Sequence, residues 1–99
     1  MKLLHCPECK DTFNLTIRSK VCSCKKTKGM YLNKADAIYT GIGIPLGLLS
    51  EEYYKLADLQ QETGRHTIDA FVIAKDCATY RKVSSIEYNE VLINNYIAT

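Results

Sequence analysis

The stretches CPEC, residues 6–9, and VCSCKK, residues 21–26, place four cysteines in two close pairs. Two thiolates on one tight turn can occupy adjacent corners of a tetrahedral zinc site, with each sulfur about 2.3 Å from the metal. Twelve residues separate Cys9 from Cys22, enough for two short strands and a turn that bring the second pair back over the first. The spacing therefore predicts a zinc-ribbon-like β hairpin whose ligands are Cys6, Cys9, Cys22 and Cys24.

The second pair is C-x-C, where the commonest ribbon has C-x-x-C, so other arrangements stay open. His5 or His66 could replace one thiol, and the cysteines could instead form disulfides, act as a redox pair or stay free. The chain has five cysteines, and this odd number disfavours a framework held only by disulfides. A closed four-thiolate site has no open coordination position, so the predicted zinc is structural and not catalytic.

Length and composition indicate one soluble globular domain. The chain has 99 residues, of which 46% are hydrophobic and 24% charged. We expect a single α+β domain over residues 1–99, with a zinc-ribbon-like subregion at 1–34 and an α+β remainder at 35–99. Neither a run of about eighteen apolar residues nor a signal-peptide core is present, so we expect a cytoplasmic protein that does not enter a membrane.

Residue periodicity predicts three further strands and a turn. Alternating apolar residues predict a strand over residues 12–17. The glycine-punctuated run at 41–48 predicts a buried strand in which glycines allow a backbone or ring to approach, with Pro45 at a bend or edge. The apolar run within residues 67–75 predicts a central strand, and NKAD at 33–36 predicts a turn.

Two segments carry helix signals. Ser50 is a suitable N-cap, acidic residues follow it in the first turn, and Gly64 is a suitable C-terminal stop. Ser84 begins a capping-box pattern with Glu87, which predicts a last helix. The fold class expected is therefore α+β, with a ribbon hairpin, a short sheet and about two helices.

Positive charge is concentrated near the cysteines. Residues 1–34 hold eight basic and two acidic residues, whereas residues 35–99 hold five and nine. The predicted contact set for nucleic acid or an acidic partner is Arg18, Lys20, Lys25, Lys26 and Lys28. Such a lysine-rich edge also occurs as a solvated rim that offsets thiolate charge, and few aromatic residues accompany it for base stacking.

The segments CPEC, CSC, AIYTGIGIPLGL and AFVIAKDC together resemble a family of small uncharacterised bacterial and phage proteins with a zinc-ribbon-like start. The resemblance covers most of the chain and implies a bacterial or phage accessory protein with the four N-terminal cysteines as ligands. Many knuckles carry glycine after their second cysteine. Here Lys10 and Lys25 occupy those positions.

Three functions remain as hypotheses. The first is a zinc-stabilised binding or adaptor protein that contacts a protein partner. The second is a nucleic-acid-binding zinc ribbon that uses the basic rim. The third is a small-molecule sensor or redox enzyme, whose first sign would be a pocket lined by Tyr39, Tyr53 and Phe71.

Overall fold

Two β-sheets and a C-terminal helix form the part of the chain that the computed structural model describes, which is residues 1–49, Tyr54 and residues 70–98. The elements are β1 (Lys2–His5), β2 (Thr12–Asn14), β3 (Lys20–Val21), β4 (Thr27–Tyr31), β5 (Ala37–Gly41), β6 (Ile44–Leu48), β7 (Ala70–Val72), β8 (Tyr80–Lys82) and α1 (Ser85–Ala98). The molecule is a small compact domain. No helix within these described ranges has the length and apolar character needed to cross a bilayer.

The two sheets have four strands each. The first sheet has the order β2-β1-β6-β7 and is antiparallel throughout. The second has the order β3-β4-β5-β8, and its β5–β8 pair is parallel. Because β1 pairs with β6 and β4 pairs with β5, residues 1–34 share both sheets with later residues.

The core has two layers, one on each face of the second sheet. Leu4 of β1 packs with Ala37 and Tyr39 of β5 in the layer between the sheets. Ile38 points to the opposite face and packs with Tyr88 of α1. Four consecutive residues of β5 are therefore buried, as expected for a strand covered on both faces.

The strand predicted over residues 12–17 is shorter in the structure. β2 ends at Asn14, after which Leu15 is buried and Ile17 is 77% exposed. β2 pairs with β1, and β3 pairs with β4. The predicted hairpin between the two cysteine pairs is therefore wrong, because the chain crosses from the first sheet to the second in this segment.

The predicted strand in the glycine-rich run is confirmed as β6. An added Cβ on Gly47 would lie 2.7 Å from atoms of the Phe71 ring, so the expected close approach of a ring is also confirmed. The buried positions are Pro45 and Gly47, whereas Ile44 is 36% exposed. Pro45 lies inside a strand flanked by β1 and β7, which corrects its predicted place at a bend or sheet edge.

The strand predicted as central over residues 67–75 is an edge strand where the structure describes it. All three residues of β7 are exposed, and Val72 retains 67% of its accessible surface. Residues 67–69 lie outside the described residues. The prediction of a central strand from the apolar run is wrong because the Phe71 ring packs against Gly47 of β6 and does not fill an interior layer.

The last predicted helix is confirmed, and its N-terminus is capped. The Ser84 hydroxyl accepts a hydrogen bond from the backbone N–H of Glu87 at 3.1 Å. The NKAD turn is also confirmed, since Asn33 Oδ1 accepts the N–H groups of Ala35 and Asp36 at 2.8 and 2.9 Å. The helix predicted from Ser50 to Gly64 lies outside the described residues, apart from Tyr54, which is helical.

Candidate metal centre

Each cysteine pair occupies the turn of its own hairpin. Cys6 and Cys9 lie between β1 and β2, and Cys22 and Cys24 lie between β3 and β4. The first hairpin belongs to the first sheet and the second hairpin to the second sheet. The four thiols therefore meet where the two sheets come together.

The sulfur positions suit a four-coordinate metal ion. The four Sγ atoms all lie within 4.8 Å of one another. Cys24 Sγ is 3.6 Å from Cys6 Sγ and 3.4 Å from Cys22 Sγ. A tetrahedron with metal–sulfur bonds of about 2.3 Å has sulfurs about 3.8 Å apart, so a small contraction of the widest pairs would complete the site.

The turns adopt the backbone conformation that glycine usually supplies. Lys10 has φ 63° and Lys25 has φ 66°, both in the left-handed region. These are the residues that follow the second cysteine of each pair. A non-glycine residue held there costs about 1–2 kcal/mol, so the two turns keep knuckle geometry at an energetic cost that other contacts must offset.

The C-x-C spacing is accommodated within a turn of the same overall span. The N–H of Cys6 donates to the carbonyl of Asp11 at 2.8 Å, and the N–H of Cys22 donates to the carbonyl of Thr27 at 3.0 Å. Both bonds join residues five positions apart. The shorter spacing moves the second cysteine and the left-handed residue after it one position closer to the first cysteine, and it leaves the closure of the hairpin unchanged.

Backbone amides, burial and neighbouring thiols shift the pKa values of the cysteine thiols in different directions. The N–H of Cys9 and the hydroxyl of Thr27 lower the pKa of the Cys6 thiol to about 6. Burial raises the pKa of Cys22, but hydrogen bonds from Cys24 and from the N–H of Thr27 outweigh it and the net shift is downward. The N–H of Lys26 lowers the pKa of Cys24, but burial and the adjacent sulfurs raise it to about 12. Without a cation the cluster therefore retains protons, which a bound metal would displace.

Polar contacts bind the first turn to the second. Asp11 Oδ2 accepts hydrogen bonds from the N–H and the hydroxyl of Ser23, both at 3.2 Å. Lys26 Nζ forms an ion pair with Glu8 Oε1 at 2.6 Å. Neither acid was predicted to be a partner of the second turn, although the presence of two acids among eight basic residues was a usable signal.

The inner side of the cluster is buried and contains an unpaired hydroxyl. Cys6 is 0% and Cys22 is 2% exposed, while Cys9 and Cys24 are partly exposed. Thr27 is completely buried, and its hydroxyl lacks a hydrogen-bond partner of ordinary geometry, although it lies close enough to Cys6 to lower the thiol's pKa. A thiolate accepts a hydrogen bond better than a thiol, so metal binding at Cys6 would supply the missing acceptor.

The end of β5 packs closely against the second cysteine turn. Gly41 has φ 94°, and a Cβ added there would lie 1.8 Å from the carbonyl oxygen of Lys26. The N–H of Ile42 donates to the same oxygen at 3.3 Å. Only glycine allows the end of β5 to approach the turn this closely.

The other candidate ligands do not join the cluster in the described part of the chain. His5 Nδ1 lies 2.6 Å from the Thr12 hydroxyl. Cys77 packs against the core between the sheets, and its sulfur lies 3.4 Å from Thr79 Oγ1. All five cysteines are free thiols in the structure. His66 lies outside the described residues.

The predicted basic set does not form one continuous surface. Lys20 pairs with Gly29, and Lys28 pairs with Val21, so the side chains of Lys20 and Lys28 lie on opposite faces of the second sheet. Lys26 is held by its ion pair, while Lys25 is exposed at the tip of the turn. Arg18 is exposed in the segment before β3.

The chain has no match among known proteins in three comparisons. Neither the protein-family models, nor the curated proteins, nor the solved structures contain a match to this chain. The resemblance to small bacterial and phage proteins therefore stays a prediction, and the case for function rests on the site itself.

Proposed function

We propose that the four cysteine thiolates bind one structural zinc ion and that the domain is a binding module for a protein partner. The observation that carries the proposal is the meeting of two cysteine-bearing hairpin turns from different sheets. An ion held there would cross-link the two sheets at one end. In a domain of this size, such a cross-link supplies stability that a modest core lacks.

The donor set favours zinc among the common metals. Four sulfur ligands in a tetrahedral arrangement suit zinc or an iron–sulfur centre, and they do not suit calcium or magnesium, which prefer oxygen. The sulfurs of Cys6, Cys22 and Cys24 already accept backbone N–H bonds, and such bonds orient and stabilise metal-bound thiolates. With four protein ligands no position remains for substrate, so the metal would serve the fold and not a reaction.

The distribution of charge supports a protein partner over a nucleic acid. The lysines of the predicted rim are divided between two faces, and one of them is neutralised by Glu8. A phosphate-tracking surface needs a continuous basic patch or stripe. The divided charge therefore disfavours nucleic-acid binding through the rim, and the proposed partner is a protein. The proposed cellular setting of the protein is a reducing compartment, such as the cytoplasm of a bacterium or of a phage-infected cell.

Metal content and free-thiol count, measured on protein purified under reducing conditions, test the zinc proposal. We expect one zinc per chain, and we expect chelation to abolish the folded circular dichroism spectrum because the metal joins the two sheets. Cys9→Ser should lose the zinc. Cys77→Ser is the matched control and should keep it, since Cys77 lies outside the cluster. Iron in place of zinc, or a metal-free folded protein with a reversible disulfide, would refute the proposal.

Reversal of charge at Lys25, Lys26 and Lys28 tests the choice of partner. We expect wild-type protein to show no salt-dependent binding to single- or double-stranded DNA or RNA. We also expect a partner protein isolated by cross-linking to bind the reversed variant with little loss. Nucleic-acid binding that weakens steeply with salt, and that disappears in the variant, would replace this proposal with the nucleic-acid one.

A further inference from the structure

A second candidate site lies away from the cysteines, in a cleft between the two sheets. Its cavity has a volume of about 380 Å³, within the range of small-molecule sites. Residues from both sheets line it, and none of them belongs to residues 1–34. The cavity is therefore separate from the proposed zinc centre.

A buried tyrosine supplies one polar group to this cavity. Tyr39 is only 6% exposed, and its ring packs edge-on against Tyr80 with centroids 5.4 Å apart. Its hydroxyl makes no hydrogen bond to any described residue, yet the side chain lines the cavity. Burial raises the pKa of Tyr39, so the hydroxyl stays protonated and can donate at neutral pH. The hydroxyl is therefore a donor without a described protein partner on the cavity wall, where a ligand acceptor can bind it.

Two lysines supply the charge. Lys82 of β8 pairs directly with Tyr39 of β5, so both side chains project from the same face of the second sheet. Lys75 follows β7 and lines the cavity from the first sheet. Neither lysine forms an ion pair with a described residue, and no acidic residue lines the cavity in the described part of the chain.

The remaining surface of the cavity is mainly apolar. Ile44 and Pro45 of β6 and Val72 of β7 contribute to it. Ile44 and Val72 are partly exposed and would gain burial from an apolar ligand group. Two cations and one hydroxyl donor above an apolar surface are complementary to a molecule with one anionic end and one hydrocarbon end.

We propose that this cavity binds a small organic anion whose carboxylate or phosphate lies between Lys75, Lys82 and the Tyr39 hydroxyl, with its apolar body against Ile44, Pro45 and Val72. A pocket lined by Tyr39, Tyr53 and Phe71 was the predicted sign of a small-molecule sensor. Tyr39 does line the cavity, whereas Phe71 packs on Gly47 instead and Tyr53 lies outside the described residues. The inference is independent of whether zinc binds at the cysteines.

Titration of the full, metal-replete chain by two-dimensional NMR tests the inference. The three probes are small molecules that each contain a benzene ring. Benzoate and phenyl phosphate carry the two possible anionic groups, and benzyl alcohol is the neutral control. We expect at least one anion to shift the amide resonances of Tyr39, Ile44, Val72 and Lys82. Benzyl alcohol should bind at least about threefold more weakly, because charge contacts at exposed lysines are modest.

Variants then locate the binding. The double variant Lys75→Gln/Lys82→Gln should weaken anion binding about fivefold or more, and Tyr39→Phe should weaken it about threefold while keeping the ring contact with Tyr80. Lys34→Gln, in the exposed turn between β4 and β5, is the matched control and should change nothing. Shifts that are absent for both anions, equal for benzyl alcohol, or unchanged in the double variant would overturn the inference.

Discussion

Gly41→Ala is the substitution whose effect the structure defines most sharply. An ideal Cβ at this position lies 1.8 Å from the Lys26 carbonyl oxygen, and ordinary contact begins at 3.4 Å. The backbone of β5 and the second cysteine turn must therefore separate by about 1.6 Å. The methyl group cannot be accommodated by a side-chain rotation, because the atom that it meets belongs to the backbone.

The expected cost can be assembled from two contributions. An alanine held at φ 94° is strained by about 1–2 kcal/mol. Loss of the hydrogen bond from the Ile42 N–H to the Lys26 carbonyl adds about 1 kcal/mol. The sum, about 2–3 kcal/mol, is a large part of the roughly 5–15 kcal/mol typical of a domain. Displacing Lys26 also moves the N–H that donates to Cys24, so zinc affinity should fall at least about tenfold.

Urea unfolding at saturating zinc measures the first effect, and competition with a chromophoric chelator measures the second. Gly29→Ala is the matched control, because its Cβ would meet the ends of the Leu4 and Leu15 side chains at 2.9 Å. It should cost about 1–3 kcal/mol by overpacking and leave zinc affinity unchanged. If Gly41→Ala matches wild type in both measurements, the close approach of β5 to the cysteine turn is wrong. Equal loss of zinc affinity in the two variants would show a general effect of stability instead.

Three further predictions concern buried hydroxyl groups. Thr27→Val should lower zinc affinity about three- to tenfold, because it removes the buried hydroxyl that can donate to the Cys6 thiolate; cobalt substitution should show a shifted sulfur-to-metal charge-transfer band. Tyr80→Phe should cost about 1 kcal/mol in urea unfolding, because the Tyr80 hydroxyl donates to the Leu3 carbonyl. Burial raises the pKa of three tyrosines above its ordinary value of about 10, namely Tyr39, Tyr80 and Tyr88. A raised folded pKa means that the unfolded state loses protons first, so the contribution of these tyrosines to stability should be constant below about pH 10 and fall above it.

Each of these predictions has its own contrary result. Thr27→Ser keeps a hydroxyl and should retain most of the affinity, so equal loss in the serine and valine variants would exclude the hydrogen bond to sulfur. For Tyr80, a variant as stable as wild type would mean that the Leu3 carbonyl finds another donor. In alkaline titration, tyrosinate absorbance that develops fully before the circular dichroism changes would show that the three phenols are not protected by burial.

The cysteine cluster is the part of the site that could be predicted from spacing. Two thiols separated by one or two residues lie close together in any fold, so Cys6 with Cys9 and Cys22 with Cys24 were predictable local pairs. The terminal helix was predictable for the same reason, because the Ser84 cap lies within one turn of the residues it serves. The hydrogen bond from Cys22 to Thr27 that closes the second turn is also local. The role of the Thr27 hydroxyl could not be predicted from local patterns.

Which strands pair was not predictable from these local patterns. The two cysteine turns belong to separate sheets, and β7, the described strand of the predicted central segment, lies at an edge of the described sheet. An apolar run can form a central strand, or it can form an edge strand in which an aromatic ring covers a glycine of the neighbouring strand. The choice depends on contacts with residues distant in the sequence, such as Phe71 over Gly47.

Capping, turn chemistry and side-chain alternation act over a few residues, and for that reason the cysteine pairs, the glycine-punctuated strand and the terminal helix could be predicted from local patterns. The meeting of both cysteine turns at one end of two sheets, and the common cavity faced by Tyr39 and Lys82, became visible in the folded chain alone. These arrangements depend on strand order and on which face each strand presents. Both are fixed by burial of side chains from distant parts of the chain, which no local pattern records.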